Sequence, residues 1–265
     1  MSIANAASKI IVVIGAGPGT GYSVAKRFAQ AGHPVALLSR TEERVTSLAN
    51  QINQLSGKGT AGTTGTARGY AVDATDESSV RDAYARIQRD FPGAAVWGGV
   101  FNANGFVRAP LLDTTVAQLK ELLDVAVVGA LIFAQSHLDA VKRAPLWNDK
   151  GGDGERHETK GFLAFTGATA SLKGSANFAA FGAAKAALRS LAQSTAREYA
   201  PQGVHVLHTI VDGIIDTEST RQRFKNLQST FMSPDAIAEA YYAAAAQPPS
   251  CWTLEVDLRP YDEKF

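Results

Sequence analysis

Lys9–Gly32 reads KIIVVIGAGPGTGYSVAKRFAQAG. Its β-branched apolar run, Ile10–Ile14, has the make-up of a buried strand. The run stops at a turn holding Gly15, Gly17, Gly19 and Gly21. Val24 and Phe28, one helical turn apart, then set a helical period that Gly32 ends. Glycines in such a turn let backbone N–H groups reach a ligand with no Cβ in the way. The helix start, with Thr20 and Gly21 in its first turn, adds unpaired donors and a partial positive charge. Strand, glycine turn and helix in this order suit the pyrophosphate of a dinucleotide.

Working outward, apolar runs alternate with helical patterns along the rest of the chain. Strands are expected at Ile10–Ile14, Val35–Ser39, Gly69–Val72, Ala95–Phe101, Phe162–Thr166 and Val204–Val211, with a seventh in the Trp252–Pro260 ending. Helices are expected near Gly21–Ala31, Glu42–Gln54, Glu77–Asp90, Val116–Val141 and Ala176–Tyr199. This alternation predicts an α/β fold with a doubly wound parallel sheet. The Gly- and Thr-rich stretch Ser56–Gly69 and the stretch Trp147–Gly161, with its GGDGERHETKG, read as solvated loops. No repeat and no shift in composition divides the 265 residues, so one domain over 1–265 is expected, with 1–8 as a tail.

The bulk numbers narrow the function. Charged residues make up 19% and the net charge is +1, with no cationic run, which argues against nucleic acid or an anionic membrane surface as partner. No apolar stretch reaches the roughly 18 residues of a membrane span, and MSIANAAS lacks the regions of a signal peptide. The single Cys251 cannot form an internal disulfide, and the 5 histidines are scattered, so no metal site is expected. A cytoplasmic location follows as the expectation.

With these elements placed, the chain resembles the short-chain dehydrogenase/reductase family over about Lys9 to Pro260. The family's Gly-x3-Gly-x-Gly turn is matched by Gly15, Gly19 and Gly21, although Ile14 replaces the usual threonine before it. The resemblance implies a Rossmann-type sheet of about seven strands with helices on both faces. It also implies a nicotinamide cofactor and a homodimer or homotetramer pairing through the helices at Val116–Val141 and Ala176–Tyr199. At the end of the second strand stand Ser39 and Arg40, where a carboxylate would repel a 2′-phosphate. A guanidinium there can pair with a phosphate dianion, which implies NADP(H) rather than NAD(H). The alternative is a solvated arginine. Asp73 resembles the family's adenine-binding aspartate, or else caps the next helix. In Asn102-Ala103-Asn104-Gly105 the first and last residues match the family's Asn-Asn-Ala-Gly; Asn102 would brace the turn and Gly105 would let the backbone pass near the cofactor. Gly213, Ile214 and Thr217, after the sixth strand, resemble the residues around the nicotinamide.

The same resemblance exposes a departure. The family's chemistry uses a tyrosine, a lysine four residues later, a serine and an asparagine. Lys185 matches the lysine, but FGAAK places Phe181 at the tyrosine position. Thirteen residues before it stands Ala168 at the serine position, and Ala126 stands at the asparagine position. Related enoyl reductases place the tyrosine seven residues before the lysine, and here that position is Phe178. Candidate replacements are Thr169 and Ser171, Asp212 beside the nicotinamide, His208 on the sixth strand, and Lys185 itself. Each has a plainer alternative: structural hydroxyls, an Asp-Gly turn, a buried histidine satisfied by backbone, and a lysine that only holds the ribose. Residues 218–231 read as a substrate lid whose Phe224, Leu227 and Phe231 imply a partly apolar pocket, or else, at helical spacing, are core or interface residues. Two functions stay open: an oxidoreductase with a non-standard active site acting on a carbonyl, imine or enone, and a cofactor-binding protein or non-redox cyclase or isomerase.

Overall fold

The computed structural model describes residues 8–56, 66–150, 156–226 and 228–263. In chain order the first half runs β1 (Ser8–Ile14), α1 (Thr20–Gln30), β2 (Val35–Ser39), α2 (Glu42–Ser56), β3 (Ala67–Ala71), α3 (Glu77–Asp90) and β4 (Ala94–Phe101). Then come α4 (Val116–Leu123), α5 (Ala130–Arg143), β5 (Trp147–Lys150), β6 (Arg156–Thr159), β7 (Gly161–Gly167) and α6 (Ala179–Tyr199). The chain closes with β8 (Val204–Val211), α7 (Glu218–Arg223), α8 (Pro234–Ala245) and β9 (Glu255–Leu258). Seven strands form one parallel sheet in the order β3-β2-β1-β4-β7-β8-β9.

The apolar run of β1 is continuous because both faces of the sheet are covered. Ile10, Val12 and Ile14 join the core under α3, α5 and α6, with Val80, Phe133 and Leu188. Ile11 and Val13 join the opposite core under α1, α2 and α8, with Phe28, Leu48 and Tyr241. The winding reverses between β1 and β4, which opens a crevice at the carboxyl ends of the strands.

The structure departs from the sequence reading in several places. The stretch expected as a solvated loop, Trp147–Gly161, holds an antiparallel pair, with Trp147 opposite Thr159 and Lys150 opposite Arg156. Trp147 is buried, with Lys9 Nζ 5.3 Å from its ring centroid. The long helix expected at 116–141 is two helices joined by a π-helical stretch, Asp124–Gly129. The helix expected from 176 starts at Ala179, because Asn177 adopts φ +68°. Helix α8 was not foreseen, although Ser233 caps it by accepting Ala236 N–H and Pro234 occupies its first turn. Ser8, assigned to the tail, pairs with Ala94 in the sheet. Residues 1–7, the middle of the expected Ser56–Gly69 loop (57–65), residues 151–155 and Leu227 lie outside the described residues. Among the described residues no helix is long and apolar enough to cross a membrane, and no cluster of His, Cys, Asp or Glu is placed to hold a metal ion.

Candidate active site

The turn after β1 is shaped by close backbone approach. Gly15 has φ +81°, and a Cβ on it would lie 2.3 Å from Ala103 N. A Cβ on Gly21 would lie 2.6 Å from Gly15 O, so helix and turn touch through bare backbone. Asn102 Nδ2 donates to Gly15 O at 3.1 Å and ties the end of β4 to the turn. Gly17 differs: a Cβ there would meet nothing within 4 Å. Helix α1 begins with no side-chain cap and no acidic residue in its first turn. Its positive end therefore faces the crevice without a counter-charge.

The crevice consists of two adjoining hollows of about 880 and 690 Å³ that share Gly15, Gly17, Asn102 and Asn104. Ser39, Arg40, Asp73 and Gly105 line the smaller one. So does Arg44 on the first turn of α2, which the sequence reading missed; its signal is the four-residue spacing from Arg40 across a helix start. Arg40 and Arg44 are exposed, and neither has an ion-pair partner among the described residues. The Ser39 hydroxyl is buried with no partner among the described residues. Asp73 is not the helix cap: its Oδ1 accepts from Thr75 N at 2.9 Å and Thr75 Oγ1 at 2.8 Å. The cap of α3 is Asp76, which accepts from Ser78 N and Ser79 N. Gly105 packs against α4, where a Cβ would lie 2.7 Å from Leu122 Cδ2.

The larger hollow gathers Thr20, Ala168, Thr169, Phe181, Lys185, Asp212, Gly213, Ile214 and Thr217, from four separate stretches of the chain. Lys185 is 2% exposed, and its Nζ donates to Thr166 O at 2.9 Å. Burial pushes its pKa down to about 8, since a charged ammonium loses hydration there. Phe181 lies one turn before it, with Lys185 Nζ 5.8 Å from its ring centroid. Phe181 also packs with Leu122, Ala126, Ala180 and Ala184, so Ala126 of the π-helical stretch sits behind the wall of the hollow. Thr169 Oγ1 is buried with no partner among the described residues, whereas Ser171 Oγ accepts Ala168 N–H at 3.2 Å. Asp212 is held by Arg259 Nη1 at 2.5 Å. Thr217 caps α7 by accepting Thr220 N–H.

The apolar wall is not the one the sequence suggested. Phe224 and Phe231 do not line the hollow; Phe106, Phe178 and Phe181 do. Their centroids lie 5.3 Å (Phe106–Phe181), 6.0 Å (Phe106–Phe178) and 6.3 Å (Phe178–Phe181) apart. The first two pairs meet edge to face and the third is tilted, a packing that gives a firm aromatic surface. Phe106 was missed because it follows the β4 turn with no periodicity of its own. His208 also differs from its plainer alternative: Nδ1 meets the Glu255 carboxylate rather than backbone.

The family model for short chain dehydrogenase matches residues 9–228. An uncharacterized oxidoreductase of Staphylococcus epidermidis is 26% identical over 259 residues, spanning 97% of this chain and 100% of the relative. The crystal structure of a short-chain dehydrogenase from Rhodopseudomonas palustris is 30% identical, with TM-score 0.73 over 96% of this chain and 99% of that one. An NADPH-bound short chain oxidoreductase from Pseudomonas aeruginosa PAO1, containing an atypical catalytic center, gives TM-score 0.78 at 19% identity over 97% of each chain. At that identity the last likeness concerns the fold.

Proposed function

Since the chain belongs to the short chain dehydrogenase family, we propose that it is an NADP(H)-dependent oxidoreductase with a non-standard active site. The observation that carries this reading is Lys185. A cation 2% exposed, whose hydrogen bond among the described residues is to a carbonyl, costs stability, and it lies in the same hollow as the uncapped start of α1. Such perturbed groups in a crevice mark functional sites.

The residues fit the cofactor. The open face of Gly17 and the free start of α1 suit the diphosphate. Arg40 and Arg44, unpaired beside Ser39, suit a 2′-phosphate. Asp73 and Gly105, on the smaller hollow, would hold the adenosine, and Gly213, Ile214 and Thr217, on the larger one, would hold the nicotinamide. When bound, the cofactor supplies or accepts a hydride. Lys185 would hold the ribose hydroxyls. Phe106, Phe178 and Phe181 set a flat apolar wall for a small planar substrate.

At the family's tyrosine, serine and asparagine positions we place Phe181, Ala168 and Ala126, none of which carries a transferable proton. A positioned proton donor contributes about 10²- to 10⁴-fold, and positioning is a separate contribution. Substrates that need no proton on a nascent alkoxide therefore suffer least: an iminium, or an enone protonated afterwards by water. The Pseudomonas neighbour, NADPH-bound with an atypical center, is a precedent in the same fold. We also propose a homodimer or homotetramer paired through α4–α5 and α6, consistent with Val116, Val128 and Leu131 standing 69%, 43% and 43% exposed.

Calorimetry with NADPH and NADH, followed by NADPH consumption assays on ketones, imines and enones, tests the proposal. Tight NADPH binding with turnover of an imine or enone is expected. No binding of either nucleotide overturns it. Binding without consumption of any substrate class favours a cofactor-binding protein without redox turnover, the reading that the carbon-only side chains Phe181 and Ala168 would favour.

A further inference from the structure

Among the described residues, the charged side chains that line the larger hollow are Lys173, Lys185, Asp212 and Glu263. Asp212 has no role in the reading above. It follows directly on β8, and its N–H donates to Leu258 O of β9 at 3.0 Å. Thr209 of β8 is paired in register with Thr166 of β7, whose carbonyl accepts from Lys185 Nζ at 2.9 Å. Asp212 and the Lys185 ammonium therefore belong to neighbouring strand ends of one hollow. The turn that carries Asp212 is tightly held: a Cβ on Gly213 would lie 2.9 Å from both Met232 Sδ and Pro260 Cδ.

The Asp212 carboxylate is paired but not neutralised. Arg259 Nη1 donates to its Oδ2 at 2.5 Å. The same guanidinium serves Asp257, with Nη2 3.0 Å from Oδ2 and Nε 2.7 Å from Oδ1. Asp257 and Asp212 are the charged groups that act on Arg259. One cation between two carboxylates leaves a negative charge in excess. Asp212 lines the hollow, whereas Arg259 and Asp257 do not, so the hollow meets the negative end of the group. The Asp212 side chain is 26% exposed, so water screens its charge only in part.

We propose that Asp212 sets the redox poise of the bound cofactor by favouring the oxidised nicotinamide over the reduced one. This rests on the reading above, in which the nicotinamide lies in the larger hollow beside Gly213 and Ile214. The oxidised ring is a cation and the reduced ring is neutral, so a nearby fixed anion stabilises only the first. Both forms present the same phosphates to the rest of the crevice. Binding NADP⁺ more tightly relative to NADPH lowers the reduction potential of the bound couple and makes bound NADPH the stronger hydride donor. Lys185, the buried cation of the same hollow, acts in the opposite sense.

The charge also suits the acceptors named above. An iminium carbon that takes the hydride becomes a neutral amine as NADP⁺ forms, so one positive charge is present before and after the transfer. A ketone would instead leave an alkoxide in a hollow that Asp212 makes more negative, with no proton donor at Phe181 or Ala168.

Calorimetry with NADP⁺ and NADPH on wild type and Asp212→Asn tests the proposal without turnover. Asparagine keeps the shape and an acceptor for Arg259 and removes the charge. The ratio of the NADP⁺ to the NADPH dissociation constant should rise about tenfold, equivalent to about 30 mV for a two-electron couple. A merely structural role for Asp212 would weaken both nucleotides alike. An unchanged ratio therefore overturns the proposal and leaves the cofactor reading in place. Asp257→Asn serves if Asp212→Asn fails to fold. Its side chain is 40% exposed, and its loss leaves the whole charge of Arg259 to Asp212. The ratio should again rise, by about twofold or more, and a ratio equal to that of wild type overturns the proposal. If wild type binds neither nucleotide, the cofactor reading falls and the proposal falls with it.

Discussion

At the scale of single residues, the crevice is read through its charges. Arg40 and Arg44 stand unpaired on the smaller hollow, and a phosphate dianion would give them partners. Arg40→Ala should weaken NADPH about tenfold, the size of one charge-assisted hydrogen bond, and leave NADH unchanged in calorimetry. Equal losses for both would refute the 2′-phosphate role. Lys185 makes a second prediction, in the apo protein. Its pKa falls from 10.5 unfolded to about 8 folded. The unfolded chain then binds more protons between these values, so this group's contribution to stability rises with pH across that window. Lys185→Met should melt above wild type at pH 7, and the gap should narrow as the pH climbs past 8; a constant gap would contradict a buried charged lysine. Phe181→Tyr with Ala168→Ser should raise ketone reduction by about 10²-fold or more if these positions are where a proton donor belongs. Assaying the double variant against wild type decides it.

Elements carry the next layer. The β1–α1 turn works because backbone meets backbone at Gly15, with φ +81° and Ala103 N 2.3 Å from where a Cβ would stand. Gly15→Ala adds a strained φ, worth about 1–3 kcal/mol, and a clash that no flexible side chain can relieve. NADPH binding should be lost and the melting temperature lowered. Gly17→Ala meets nothing within 4 Å in the protein, so it should fold normally and fail only in the cofactor titration. A Gly17→Ala protein with unchanged NADPH affinity would put the diphosphate elsewhere. The π-helical stretch Asp124–Gly129 is an element-scale feature too. It places Ala126 against Phe181 and Ala184, so α4–α5 reaches the back of the site.

For the whole molecule, the parallel sheet decides where chemistry can occur. Reversal of the winding between β1 and β4 leaves a crevice at the carboxyl ends of the strands. Strands β7, β8 and β9 bring Phe165, His208 and Glu255 side by side, though 90 residues separate the first from the last. The exposed apolar residues of α4–α5 make an assembly prediction. Light scattering should report a dimer or tetramer, and Val128→Glu with Leu131→Glu should shift it toward monomer without loss of fold. A wild type that stays monomeric at micromolar concentration would refute the pairing.

The sequence alone determined the glycine turn, the alternation of strands and helices, the placement of Arg40, Asp73 and Asn102 just past strand ends, and that of Lys185 on a long helix. These follow from local periodicity and from backbone shapes that only certain residues tolerate. Helix α8 and the β5–β6 pair escaped it. The first is rich in alanine and shows little polar alternation; the second is short and interrupted by glycine. Tertiary structure alone decided that Phe106 joins Phe178 and Phe181, that Arg44 stands with Arg40, that Arg259 occupies Asp212, and that His208 turns one nitrogen to Glu255 and the other toward Gly167. Each of these joins residues distant in the chain or on different elements, and no local pattern encodes such a meeting; it is fixed only when the sheet closes and both cores pack.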